Sequence, residues 1–150
     1  MATLFAGGMN TLAHAGHDDE YYWANSSNAK WKAECSTCHV AYPPRLLPVE
    51  SWRVLMGGLD RHFGSDASLD AATAREIAAF LERSAGSRKA GSTDKPILRI
   101  SETRWFKREH DEVPERVWKN PKVKSPANCG ACHIRADSGN FSEHDIRMPR

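Results

Sequence analysis

The four cysteines of this chain fall in two copies of one pattern, Cys35-Ser36-Thr37-Cys38-His39 and Cys129-Gly130-Ala131-Cys132-His133. Nothing else in the sequence restricts the fold as much. Cysteines with two residues between them admit four chemistries: two disulfides, one zinc site, a thiol redox motif, or two covalent c-type haem attachments. The histidine discriminates among them. With 7 histidines in 150 residues, chance would set one after both pairs about 0.2% of the time, and neither disulfides nor zinc give it a role there. A zinc ribbon prefers a gap of about 15–20 residues between its pairs, whereas 94 positions separate Cys35 from Cys129. Haem attachment accounts for every element. Two cysteines three apart share one face of a helical turn, so both sulfurs reach the vinyl positions of one porphyrin, and the next imidazole becomes the proximal iron ligand. The sequence therefore predicts two covalently bound haem c groups, on Cys35, Cys38 and His39 and on Cys129, Cys132 and His133.

A chain of 150 residues makes one ordinary domain or two very small ones, and domains that small need a staple such as a cofactor. Hydrophobic residues at 40% and charged residues at 27% indicate a globular chain. No apolar run approaches the roughly 18 residues needed to span a bilayer. The 21 basic and 19 acidic side chains nearly cancel, to a formal +2, which argues against a nucleic-acid binder. Residues 1–15 carry no charged side chain and end in Ala13-His14-Ala15, the small-x-small spacing of an export signal cleaved after Ala15. The positive start of such a signal is missing, so the segment reads as the tail of a leader and the mature protein as periplasmic.

The rest divides into a haem-1 domain (16–90) and a haem-2 domain (91–150), separated by the polar, glycine-rich run from Gly86 to Lys95. Asn28 to His39 reads as the first haem-bearing helix, ended by Tyr42-Pro43-Pro44. Pro48 opens a second helix, with Trp52, Leu55 and Met56 on one face, stopped by Gly57-Gly58. Asp70 caps the best helix in the chain, whose stripe is Ala74, Ile77, Phe80, Leu81 and Ala85. Ile97 to Ile100 has room for a short extended piece. Thr103 to Asn120 holds one or two helices broken at Pro114, with Trp105, Phe106, Val113, Val117 and Trp118 inward. Ser125-Pro126 starts a second haem helix that runs to about Asp137 and ends at Gly139. The last eleven residues read as irregular.

The sixth ligand of each iron decides the chemistry, because histidine or methionine closes the site and an open position permits catalysis. For haem 1 the leading candidate is His62, in a turn beside Phe63 and Gly64; Met56 is the rival, although its spacing also suits core filling. For haem 2, His110 leads, four residues after Phe106 on one helix face. His144 and Met148 are alternatives in a less structured tail. His14 would leave with the leader, and His17 would stand beside the new terminus. Lys119, Lys122 and Lys124 form a candidate docking patch near haem 2, with a solvated face as the simpler reading.

The segments Cys35-Ser-Thr-Cys-His39, Trp52…Met56-Gly57-Gly58-Leu59…His62-Phe63-Gly64…Asp66-Ala67, Trp105…Glu109-His110 and Asn128-Cys129…Cys132-His133 together resemble the small periplasmic dihaem cytochromes c of proteobacteria. The attachment motifs are generic to c-type cytochromes, and the middle segment narrows the match. The resemblance implies a mainly α protein. Its N-terminal haem domain would be like a class I cytochrome c, and its smaller second haem domain largely irregular with few short helices. It further implies bis-histidine ligation of both haems, by His39 with His62 and by His133 with His110, and low potentials. The implied partners are an oxygen-binding high-spin cytochrome c and a membrane b-type cytochrome. The function expected is electron transfer by a monomeric carrier without enzymatic activity. The competing classes are a haem enzyme such as a peroxidase, which needs an open iron, and the dihaem subunit of a larger reductase.

Overall fold

A side chain that accepts from backbone amides starts three of the described helices. In the computed structural model, which describes residues 27–87 and 95–150, Asn28 Oδ1 accepts from Trp31 N at 2.8 Å and opens α1 (Ala29–Cys35). Pro48 precedes α2 (Val49–Met56), which ends at Gly57. Asp70 Oδ1 accepts from both Ala72 N and Thr73 N at 3.0 Å and opens α3 (Ala71–Ser84). These bonds use amide donors that a helix start otherwise leaves unpaired. Thr103 does the same for α4 (Arg104–Glu109) through Phe106 N. Pro114, which cannot continue a helix from its N-terminal side, sits at the N-cap of α5 (Glu115–Trp118).

The first half packs around Trp31, Leu47, Trp52, Ile77, Phe80 and Leu81. Ile77 and Leu81 are 0% and 1% exposed, and complete burial of such a side chain is worth about 1.5–3 kcal/mol. Trp31 of α1 meets Phe80 of α3 with ring centroids 5.3 Å apart. Trp52 Nε1 donates to the Pro44 carbonyl at 2.7 Å, which ties α2 to the 3-10 turn Pro44–Leu46. Gly86 N donates to Leu47 O at 2.9 Å, and a Cβ on Gly86 would sit on the Arg45 carbonyl oxygen. The end of α3 can therefore reach that turn only as glycine. Exposed ion pairs, Lys30–Glu76 at 2.6 Å and Arg53–Glu82 at 2.7 Å, join α1 and α2 to α3, where solvent and salt screen them so that they add little.

The second half buries Phe106, Val117, Val123 and Ala136 and is made of short pieces: α4, α5 and the 3-10 turns Ile100–Glu102, Cys129–Ala131, Ala136–Ser138 and Glu143–Asp145. The chain is thus mainly helical, and the described residues contain no strand beyond two isolated bridges, His62–Ser65 and His133–Ile146.

Three expectations are corrected. The first haem helix stops at Cys35, not His39, because Thr37 Oγ1 turns back to the Glu34 carbonyl at 2.9 Å and competes with the helical ladder. The expected second haem helix from Ser125 to Asp137 is absent. Ser125 Oγ accepts from Ala127 N, Asn128 Nδ2 donates to Val123 O, and Arg147 N takes the Cys132 carbonyl at 2.9 Å. Ile97 to Leu98 pairs with no strand, and Ile100 already belongs to a 3-10 turn. The proposed leader (1–15), His14, His17 and most of the expected domain boundary lie outside the described residues.

Candidate haem sites

His39 follows the turn that ends α1, and its Nδ1 lies 2.7 Å from the Val40 carbonyl. With Nδ1–H donating there, the neutral ring keeps its Nε2 lone pair for a metal. His62 comes from the chain between α2 and α3. It begins the turn His62-Phe63-Gly64-Ser65, closed by Ser65 N donating to His62 O at 3.0 Å. Phe63 and Gly64 both have positive φ, 51° and 98°, the signature of a type I′ turn. A phenylalanine in the left-handed region costs about 1 kcal/mol. Its ring here packs edge-on to His62 at 4.9 Å, and Arg99 lays its guanidinium over the same ring at 4.1 Å. The two imidazoles, His39 and His62, stand with centroids 6.1 Å apart and planes inclined by 28°.

The second site repeats the spacing with different parts. His110 caps the C-terminal end of α4 rather than lying within it. Its Nδ1 is 2.9 Å from the Phe106 carbonyl, and its ring stacks on Phe106 at 4.0 Å and 15°. His133 follows the 3-10 turn Cys129–Ala131 and meets Phe141 at 5.4 Å. The centroids of His110 and His133 are again 6.1 Å apart, with planes at 72°. Met56 packs against the hydrophobic core of the first half, while His144 and Met148 are exposed.

These residues fit haem iron. Metal–imidazole bonds of about 2.0 Å on opposite sides of one ion put the ring centroids about 6.2 Å apart, which matches both pairs. His62 Nδ1 and His133 Nδ1 are buried with no partner among the described residues, so protein atoms do not use up the nitrogen capacity of these rings. Burial first, then the facing His39 and the Arg99 cation, lower the pKa of His62. Burial and His110 lower that of His133. Both shifts favour the neutral imidazole that ligates metal.

The competing cysteine chemistries find less here. No two of the four cysteines are joined in a disulfide. Burial raises Cys35 and Cys129 to about 11, the reverse of what a redox thiolate needs. Among the described residues no three His, Cys, Asp or Glu side chains gather as a metal cluster, so a single zinc site has no geometry.

Two contributors escaped sequence reasoning. Tyr42, read only as part of a helix stop, stacks on His39 at 4.5 Å and 14°, and its hydroxyl donates to Ala127 O at 2.6 Å. Burial pushes its phenol above the ordinary tyrosine range. Arg99 lay unremarked in the supposed extended piece. A tyrosine three residues after a haem histidine was the one available signal; Arg99 offered none.

A family profile described as dihaem cytochrome c matches residues 31–141. Curated protein sequences return no match. Among solved structures, a dihaem c-type cytochrome from Shewanella baltica OS155 is 39% identical, with a TM-score of 0.70 over 81% of this chain and 93% of that one. Two structures of the Rhodobacter sphaeroides dihaem cytochrome c are 46% and 43% identical, with TM-scores of 0.66 and 0.70. Each alignment covers 77% of this chain and 97% of the relative. With a profile over most of the chain, this identity and two Cys-x-x-Cys-His motifs, the chain belongs to the dihaem cytochrome c family and binds two haem c groups.

Proposed function

We propose that the protein is an exported electron carrier with both irons held by two histidines, His39 with His62 and His133 with His110. The observation that carries this reading is the repeated 6.1 Å imidazole spacing, made by unrelated local structures in the two halves. Bound haem c supplies a reversible one-electron couple. The protein's own residues do the rest. Cys35, Cys38, Cys129 and Cys132 retain the cofactor by covalent bonds, which suits a protein outside the cytoplasm. The paired imidazoles leave no position for a substrate, and they hold the potential below that of a methionine-ligated centre. Tyr42, Phe63, Phe106 and Phe141 pack against the ligand rings. That packing opposes ring movement as the charge changes, so little reorganisation accompanies electron passage.

Two features support the partner and location. The Ala-x-Ala end of residues 1–15 supports export, with a mature chain that begins at Gly16. The resemblance supports exchange with an oxygen-binding high-spin cytochrome c and a membrane b-type cytochrome, through a small, transient contact. No described helix is long and apolar enough to cross a membrane.

Ferric and ferrous spectroscopy of the holoprotein tests the ligation. Two low-spin ferric centres, and no carbon monoxide adduct after reduction, are expected. A high-spin centre, or rapid carbon monoxide binding, would overturn the closed-site reading and favour an enzyme.

A further inference from the structure

The two halves of the chain meet at an unbroken series of contacts between the two haem sites. It starts at the ring of His39, which stacks on Tyr42 with centroids 4.5 Å apart. The Tyr42 hydroxyl donates to the Ala127 carbonyl at 2.6 Å, across 85 positions of sequence. The same carbonyl oxygen lies 3.8 Å from Cys129 Sγ, one of the sulfurs that attaches haem 2. Tyr42 is half-buried, and Pro43 and Pro44 behind it are buried, so the ring has a fixed support. Two prolines also lock the backbone that carries it.

We propose that Tyr42 is the positioning residue that couples the two haem sites electronically, with its ring against the proximal ligand of haem 1 and its hydroxyl joined through Ala127 to the attachment sulfur of haem 2. The inference rests on the two-haem electron-transfer reading above. An electron leaves one site as the other gains it, so the total charge of the molecule is unchanged. No bond forms or breaks. The phenol keeps its proton, shared with the Ala127 carbonyl, and is neither oxidised nor reduced.

Electron tunnelling decays less steeply through covalent and hydrogen bonds than across a through-space gap. Loss of the hydroxyl therefore weakens the link at one place, and loss of the ring weakens it at two. The test compares Tyr42→Phe and Tyr42→Leu with the unaltered holoprotein, each poised half-reduced. Exchange between the two haems is followed by NMR line broadening, and only the part independent of protein concentration is counted as intramolecular. Electron paramagnetic resonance of the ferric forms reports ligation in parallel.

The expected result is a severalfold slower exchange in Tyr42→Phe with both low-spin signals unchanged, and a larger loss in Tyr42→Leu. A role in stability alone would lower the unfolding midpoint and leave the Tyr42→Phe exchange rate as it was. That outcome overturns the proposal, whatever the leucine variant does. If the unaltered protein itself lacks two low-spin centres, the electron-carrier reading fails instead. The two failures are thereby distinguishable.

Discussion

Arg99 puts a positive charge over the loop that offers His62, and its removal should be measurable as a potential. Its Cζ lies 4.1 Å from the Phe63 ring centroid, which lies 4.9 Å from that of His62. With a metal about 3 Å beyond the imidazole centroid, the guanidinium stands at most about 12 Å from the iron. A unit charge at that distance contributes about 0.35 kcal/mol at a dielectric constant of 80 and about 0.7 kcal/mol at 40. For a one-electron couple, in which tenfold is 59 mV, this is about 15–30 mV. A cation favours the site that holds the extra electron, so Arg99→Gln should lower the haem-1 midpoint by that amount. The side chain is 49% exposed and faces Glu102 at 3.7 Å, so salt should shrink the shift as the Debye length falls towards about 10 Å at 0.1 M. The assay is a redox titration of each haem at low and at high ionic strength. Arg99→Lys serves as the control, since it keeps the charge and loses the planar stack. An upward shift, no shift at low salt, or equal shifts at both haems would refute the reasoning.

Three other outcomes are expected. His62→Met should leave haem 1 attached and raise its midpoint while haem 2 moves little; a titration that shows equal movement would reject the ligand assignment. Gly86→Ala should cost about 1–3 kcal/mol by overpacking, because the new methyl meets the Arg45 carbonyl, and denaturant unfolding would show it. Asp70→Ala should destabilise the fold at neutral pH through the lost cap. Bonds from Thr73 hold the Asp70 pKa below its ordinary value, so its contribution is present above about pH 4 and fades as the carboxylate protonates in acid. Thermal melts of the two proteins should therefore converge at low pH.

What was legible in the sequence was local. The cofactor follows from five adjacent residues read twice. Asp70 and Thr103 mark helix starts because a cap acts on amides two or three positions away, and Pro114 marks a break because proline cannot continue a helix from its N-terminal side. The Ile77–Phe80–Leu81 stripe is buried because it repeats with the helical period. The same habits misled at Ser125-Pro126, where a good N-terminal signal opens a turn. Asn128 and Ser125 satisfy the backbone locally, and the tail takes up Cys132 O. Tyr42 and Arg99 were illegible for another reason. Tyr42 reaches Ala127 across the fold and Arg99 reaches Phe63, and no periodicity announces such a partner.

Under the ligation proposed above, the unequal tilt of the two histidine pairs, 28° in one half and 72° in the other, would label the irons. Imidazoles set nearly parallel push the same iron d orbital and split it from its neighbour, while nearly crossed rings push both orbitals about equally. Two centres with chemically identical ligands then differ in magnetic anisotropy. Each would then keep its own resonance in the frozen ferric protein, and an effect of any substitution could be assigned to one half of the molecule without separating the halves.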